Sequence, residues 1–338
     1  MLRGALLGAG NVARNGHLPG WLARPDVALV AAADPRAECR DALRALAPRV
    51  AVHEDAEALL AAEEVDFVDV CAPPAAHAAL AHAALGRSRH VLCEKPLVLS
   101  EAELAELGAH AAARDRALAC VHNWKHAPPL ARVLAEVKRR AVGRVTRVRW
   151  ETLRTKPAVT VGEEGNWRLD AALAGGGVLF DHGWHALYVV HALLPGAPES
   201  VAATLETRRH RVGALEDTAS LRLAGRDFTA EVFLTWAADE RRNTLVVEGE
   251  EASLHLDGDT LDWRPAVGPV ERTRFPKSLA EGSHHPDWFG GVIEDFLAEV
   301  RDPAVRGLSL AEAGACLRTL RRAQESHEKG GAPVELAR

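Results

Sequence analysis

Lys95 stands between Glu94 and Pro96, directly after the apolar stretch His90-Val91-Leu92-Cys93. Lysine and arginine total 41 but only six are lysine, so arginine carries most of the positive charge and a lysine in this setting is an exception. Lysine can give up a proton where arginine cannot. Far downstream, Gly175-Gly176-Gly177-Val178-Leu179-Phe180-Asp181-His182-Gly183-Trp184-His185 supplies a carboxylate, Asp181, and an imidazole, His185, four residues apart. In a helix that spacing puts both on one face, and an imidazole titrates near neutrality without help. The three glycines before them favour close approach of the backbone to a ligand. Each group has an ordinary reading when taken alone, as a surface turn or a helix pair. Together they are the parts of a proton-transfer site.

A second constellation says what the proton transfer would accompany. Gly8-Ala9-Gly10-Asn11-Val12-Ala13 follows an apolar run at 3–7 and opens a helical segment at 12–24. This strand–turn–helix context is the one a dinucleotide-binding glycine turn needs; without it the glycines would be a plain connection. Gly8 permits the tight turn, Gly10 lets the backbone approach a pyrophosphate, and Ala13 allows helix–sheet packing. Amide groups at the helix start, around Asn11 and Val12, face the phosphates. Asp34 lies 21 residues after Ala13, at the end of the second apolar run. Its carboxylate can accept from ribose hydroxyls and repel a 2′-phosphate, which favours NAD; Arg36 nearby can hold such a phosphate, so NADP stays open. Asp34 also fits a helix N-cap with Pro35 at the first helical position. Cys71-Ala72-Pro73-Pro74 closes the strand at 65–71, and in doubly wound sheets ligands lie beyond the carboxyl ends of strands. Ala72, Pro73, Glu94 and Lys95 are therefore candidates to line the nicotinamide pocket. His77 either joins them or simply starts the next helix.

The elements that must position these groups alternate. Strand runs at 27–33, 50–52, 65–71, 90–93 and 118–121 alternate with helical segments at 36–47, 56–62, 77–85 and 100–114, where Ser100 and Glu103 form a capping box. This predicts an α/β fold, a doubly wound parallel sheet covered on both faces. After about residue 122 the rhythm changes. A helix at 128–140 precedes a half-buried strand at 145–153, and strand-like runs at 200–208, 216–223, 227–237, 243–248, 252–256 and 260–264 follow closely, as in an antiparallel sheet. Helices at 286–300 and 309–327 close the chain. The expected division is a dinucleotide-binding domain over 1–122 and an α+β substrate-binding and oligomerisation domain over 123–338.

A chain of 338 residues, 48% hydrophobic, has enough apolar surface for two cores. A net charge of −6 without a basic run argues against nucleic acid as a partner. The five cysteines, Cys39, Cys71, Cys93, Cys120 and Cys316, form no CxxC pair and suit a reducing compartment. No apolar run reaches the roughly 18 residues of a membrane span, and the N-terminus lacks a leader layout, so a cytoplasmic protein without membrane partners is expected.

Gly8-Ala9-Gly10, Ala72-Pro73 with His77, Glu94-Lys95-Pro96, Gly175-Gly176-Gly177 with Asp181 and His185, and Asp287-Trp288-Phe289 to Asp295-Phe296-Leu297 together resemble the Gfo/Idh/MocA family. The resemblance covers nearly the whole chain. It implies an N-terminal Rossmann domain and a C-terminal domain with an open, mainly antiparallel sheet, which often serves as an oligomer interface, so a homodimer or homotetramer is expected. It implies NAD(P)-dependent oxidation or reduction of a sugar, cyclitol or related polyol. In the roles it implies, His185 is the general base, Asp181 orients the imidazole or binds a substrate hydroxyl, and Lys95 stabilises the reacting oxygen, with the order of proton transfer open between Lys95 and His185. His182, one position on from Asp181, is expected to point elsewhere. Asn123, Lys125 and Trp167 are expected to touch substrate. Three departures matter: Pro74-Ala75 where an asparagine is frequent, Lys125 where an arginine is frequent, and Tyr188 where an aspartate is common. Relatives that cleave glycosides through transient oxidation, and a non-catalytic NAD-sensing regulator, are the alternatives. Asp181, His182 and His185, with His122 or His126, have ligand types that suit zinc, but hydride transfer with a base present needs no metal, and none is expected. His284-His285 reads as a polar loop.

Overall fold

Six short, apolar strands form one parallel sheet: β1 (Leu2–Leu7), β2 (Val27–Ala33), β3 (Ala51–His53), β4 (Phe67–Val70), β5 (His90–Cys93) and β6 (Leu118–Cys120), in the order β3-β2-β1-β4-β5-β6. A computed structural model describes residues 1–158, 166–210 and 215–336 of the chain. Strands buried on both faces read as near-continuous apolar runs, and these do. Between them lie α1 (Leu18–Leu22), entered through a π-helical stretch at Ala13–His17, then α2 (Ala37–Leu46), α3 (Ala56–Ala62), α4 (Pro74–Gly86) and α5 (Glu101–Ala113). The capping box at Ser100 and Glu103 is present, each side chain reaching the other's backbone. This is the Rossmann arrangement, and the strand order reverses on either side of β1, where β2 and β4 flank it.

The chain divides into two compact units. The first comprises Met1–Asn123 together with Ser283–Gly314; the second comprises Trp124–Gly282 and the chain from Ala315 onward. Residues 283–314, expected from sequence in the second domain, cluster with the first unit. The reason is an amphipathic helix, α10 (Pro286–Arg301), whose Trp288, Phe289, Val292, Ile293, Phe296 and Leu297 are buried. Phe289 and Phe296 enter the core beside Trp21 and Phe67; the Phe67 and Phe296 ring centroids lie 5.4 Å apart.

In the second unit α6 (Pro128–Lys138) precedes β7 (Val145–Leu153), and the short α7 (Ala171–Ala174), α8 (Val178–Asp181) and then α9 (Gly183–Leu193) follow. The sheet is completed by β8 (Ser200–Glu206), β9 (Thr218–Ala224), β10 (Thr229–Thr235), β11 (Arg242–Gly249), β12 (Ala252–Asp257), β13 (Thr260–Pro265), β14 (Glu271–Arg274) and β15 (Val334–Glu335), in the order β14-β13-β12-β11-β7-β10-β9-β8-β15. It is mostly antiparallel, with β7 and β10 parallel. The alternating side chains Val148 and Trp150 of β7 and Ala230, Val232 and Leu234 of β10 are buried, and α9 packs on these two strands. The edge strands β14 and β15 lie outside the runs expected from sequence. The long α11 (Leu308–Glu328) begins in the first unit and ends in the second. Among the described residues no helix is long and apolar enough to cross a membrane.

Candidate active site

The glycine turn sits at the carboxyl end of β1. Gly8 has φ +101°, and a Cβ on it would lie 2.8 Å from the carbonyl carbon and oxygen of Cys71. Only glycine satisfies both the left-handed backbone and this approach. Gly8 N–H donates to Ala33 O, and Cys71 N–H to Leu7 O, each at 2.8 Å, so the ends of β2, β1 and β4 converge here. Asp34 is buried and accepts from the backbone N–H of Ala9 at 2.8 Å and of Arg36 at 2.9 Å. It is not the N-cap of α2; Arg36 holds that position, with no side-chain cap. A carboxylate has about four acceptor sites, so Asp34 can brace the turn and still accept ribose hydroxyls. The Arg36 side chain reaches back to Asp34 at 3.3 Å. Asn11 and Val12, both half-buried, open the helical segment. The Asn11 amide lies 2.9 Å from Nε2 of His284, so His284 is fastened to the turn. These residues fit a dinucleotide: an amide-lined turn, a brace and a hydroxyl acceptor share one sheet edge.

The loops after β4 and β5 complete that edge. His77, fully buried in the first turn of α4, places Nδ1 2.8 Å from Pro96 O and Nε2 2.8 Å from Ala72 O. Both ring nitrogens face backbone, so His77 ties the Ala72-Pro73 loop to the Glu94-Lys95-Pro96 loop. Lys95 is half-buried, and its N–H donates to Glu94 Oε2 at 2.9 Å. Behind it lies a group that sequence reasoning missed. His17 places Nδ1 2.9 Å from Asp69 Oδ2 and Nε2 2.9 Å from Glu94 Oε1. Trp21 Nε1–H donates to the same Asp69 oxygen at 2.6 Å, and Cys71 Sγ lies 3.2 Å from His17 Nδ1. Asp69 and His17 could have been flagged as polar residues inside otherwise buried segments. His17, Asp69 and Cys71 offer ligand types within 4.8 Å of one another, but these atoms are already spent on hydrogen bonds.

In the second unit Asp181 ends α8 and His185 lies in the first turn of α9. The two helices are nearly continuous: His182 N–H donates to Val178 O and Ala186 N–H to His182 O. His185 Nδ1 is 3.0 Å from the Tyr188 hydroxyl, which also accepts the Trp124 N–H at 2.9 Å. The Trp124 and His185 rings stack at 5.0 Å. His182 does not point elsewhere as expected; its Nε2 lies 3.7 Å from the Asp181 carboxylate. The three glycines are also explained differently. Gly175 is a left-handed helix C-cap with φ +84°. A Cβ on Gly176 would lie 2.7 Å from the Phe180 ring, and one on Gly177 would collide with the backbone oxygen of Glu216. At Gly176 and Gly177 the close approach is made by protein. Glu216 accepts the Leu179 N–H at 2.9 Å, and burial pushes its carboxyl above the usual range.

Arg154, at the end of β7, is a further residue missed from sequence. It is buried and donates to Leu153 O, Arg242 O and Asn243 Oδ1. Burial and the charge of Arg241 pull its guanidinium down to about 10, while Asp181 pulls the other way. Among the expected substrate contacts, Asn123 and Lys125 lie on a 3₁₀ turn, Asn123–His126. Asn123 Oδ1 is buried without a hydrogen-bond donor among the described residues. Trp167 is half-buried, with the Arg168 guanidinium over one ring face at 4.3 Å from its centroid. Asn123 belongs to the first unit with Lys95; Lys125 and Trp167 belong to the second with Asp181 and His185.

Residues 2–122 match the family model described as an oxidoreductase family with an NAD-binding Rossmann fold, and residues 130–255 match that of the GFO/IDH/MocA C-terminal domain. Over 344 residues the chain is 30% identical to a protein of Amycolatopsis mediterranei (strain S699) assigned as a UDP-kanosamine synthase oxidoreductase subunit, with 92% of each chain covered. The chain belongs to the Gfo/Idh/MocA oxidoreductase family. Another relative is D-apiose dehydrogenase of Paraburkholderia graminis, 29% identical over 300 residues, covering 83% of this chain and 74% of that one. The crystal structure of GenD2 from gentamicin A biosynthesis, in complex with NAD, superposes with a TM-score of 0.84 at 25% identity, over 100% of this chain and 97% of the other. An inositol dehydrogenase homolog from Azotobacter vinelandii, complexed with NAD+, shares the fold with a TM-score of 0.83 at 20% identity, over 99% and 97% of the two chains. This Gfo/Idh/MocA protein is thus an oxidoreductase with an NAD-binding Rossmann domain.

Proposed function

We propose that the protein moves a hydride between NAD and a secondary alcohol of a sugar, cyclitol or related polyol. The observation that carries this reading is the placement of Lys95. It follows β5 on the same sheet edge as the glycine turn, in a loop braced by His77 and by Glu94. NAD, when bound, supplies the carbon that accepts or returns the hydride. Asn11, Val12 and the glycine turn hold its phosphates; Asp34 takes the ribose hydroxyls and repels a 2′-phosphate; Ala72 and Pro73 line the edge. The Lys95 ammonium donates to the reacting oxygen and stabilises the charge that develops as the hydroxyl proton leaves. His185, with Nδ1 committed to Tyr188, takes that proton at Nε2. Asp181 accepts from a neighbouring substrate hydroxyl, and Asn123, Lys125 and Trp167 contribute further contacts. We also take the protein to be cytoplasmic and a homodimer or homotetramer, which light scattering on the purified chain would check.

The test is a panel of sugars and cyclitols, with NAD and NADP in parallel, followed by the absorbance of reduced nicotinamide. Lys95→Ala should then lower turnover on the best substrate by about a thousandfold while NAD affinity, read from fluorescence quenching, stays within about threefold. Full turnover in Lys95→Ala would remove Lys95 from the chemistry. No nicotinamide reduction with any polyol would overturn the substrate class.

A further inference from the structure

We propose that His17 is a positioning residue for Lys95, clamped between Asp69 and Glu94 so that it holds the Glu94 carboxylate, and through it the Lys95 peptide, at the dinucleotide edge. The inference rests on the reading that Lys95 is catalytic. Both ring nitrogens of His17 face carboxylate oxygens at 2.9 Å. An ionised carboxylate only accepts hydrogen bonds, so satisfying both places a proton on each nitrogen and makes the ring an imidazolium. Asp69 is held as an acceptor by Trp21 Nε1–H as well. Glu94 divides its oxygens, Oε1 to His17 and Oε2 to the Lys95 N–H. The ring itself is fixed by Phe289, stacked at 4.0 Å between centroids. The clamp is therefore a continuous chain from Trp21 through Asp69, His17 and Glu94 to the backbone of Lys95.

The groups facing His17 are Asp69 and Cys71, from β4 and its end, Glu94 from the end of β5, and the apolar Phe289 ring from α10. Burial is the largest single effect and opposes a charge on His17, but the charge and hydrogen bond of Asp69 together with those of Cys71 hold the imidazole well above its ordinary value. Burial pushes the Cys71 thiol up to about 12, so it remains protonated at neutral pH. Burial likewise works against ionised Glu94, yet the bond and charge of His17, with the charge of Lys95, keep it below the usual carboxylate value. A buried ion pair that loses one member leaves the other uncompensated. Without His17, burial would work against the Glu94 carboxylate with only Lys95 opposing it, so Glu94 would hold its proton to higher pH and lose the bond that fixes its Oε1.

Two measurements test this. In the unaltered protein, ring ¹⁵N spectra at pH 8 should show one histidine as a persistent imidazolium, absent from His17→Gln; a neutral His17 at that pH would overturn the proposal. In His17→Gln, kcat should fall by about tenfold to a hundredfold, the scale set by small displacements of a catalytic group, with NAD affinity within about threefold of the parent. Its kcat profile should show an acid limb moved to higher pH, which a loss of stability alone would not produce. The double variant His17→Gln/Glu94→Gln should lose no more than the worse single variant, because His17 acts through Glu94. An unshifted profile, or losses that multiply, would sink the idea. If His17→Gln does not fold, His17→Asn supplies the same comparison, and a parent spectrum with no imidazolium at pH 8 overturns the proposal by itself. Failure of the Lys95 assignment would show separately, as full turnover in Lys95→Ala with the imidazolium signal intact.

Discussion

The Tyr188 hydroxyl is shared between the His185 imidazole, 3.0 Å away at Nδ1, and the backbone N–H of Trp124, which donates to it at 2.9 Å. One phenol thus holds both the His185 ring, the proposed base, and the turn that carries Asn123 and Lys125. Tyr188→Phe should lower kcat by about tenfold with little change in substrate KM. The buried Trp124 N–H would lose its acceptor, costing about 1–3 kcal/mol in urea unfolding. A stability loss with unchanged kcat would reduce Tyr188 to a structural part.

Two glycines should respond in opposite directions. Alanine at Gly177 would drive its methyl into the Glu216 backbone oxygen; overpacking of this kind costs about 2–3 kcal/mol or more. Gly290, in the middle of α10, has open space where a methyl group would sit, with nothing within 4 Å. Gly290→Ala should therefore stabilise by about 0.5–1 kcal/mol through helix propensity. Thermal melts of the two variants would check the pair, and a stable Gly177→Ala protein would contradict the packing described.

Asp34→Ala should weaken NAD more than any loss of fold accounts for. It removes the acceptor for Ala9 and Arg36 N–H together with the proposed ribose acceptor. With hydrogen bonds to a charged group worth about 1.5–3 kcal/mol, Kd for NAD should rise by about tenfold to a hundredfold. NADP should be affected far less, because the repulsion of its 2′-phosphate disappears. Parallel titrations with both dinucleotides would decide, and an equal loss for both would argue against contact with the ribose.

Acidification should destabilise the second unit through His191. Burial, aided by Arg318, pulls this imidazole down to about 4 from an ordinary 6.5, and its Nε2 is 3.1 Å from the Thr319 hydroxyl. The folded state therefore resists a proton that the unfolded chain accepts. Its stabilising contribution is complete above about pH 6.5 and is lost as the pH falls from there towards 4. The ring is partly exposed, so we expect about 1–2 kcal/mol over that window. Urea midpoints between pH 7 and 4 should fall less steeply in His191→Gln than in the parent; identical slopes would exclude His191 as the source.

Much of the fold was legible because it is written in local periodicity. Val27–Ala33, Ala56–Ala62, His90–Cys93 and Val145–Leu153 coincide with their expected runs. The glycine turn and Asp34 were legible because their spacing is dictated by a strand, a turn and a helix. What escaped notice depends on partners distant in the chain. His17 meets Asp69 and Glu94 only after three strands have been placed side by side, and no local pattern announces that. The triglycine did signal close approach, but Glu216, 39 residues beyond Gly177, is what approaches. The edge strands β14 and β15 are short, so alternation has little length in which to show.

The return of residues 283–314 to the first unit has a practical corollary for dissecting the molecule. A fragment cut after Asn123 would carry every residue proposed to hold the nucleotide, yet Trp21 and Phe67 would face water where Phe289 and Phe296 now cover them. An autonomous nucleotide module would instead have to be spliced, with the 283–314 segment grafted back by a linker.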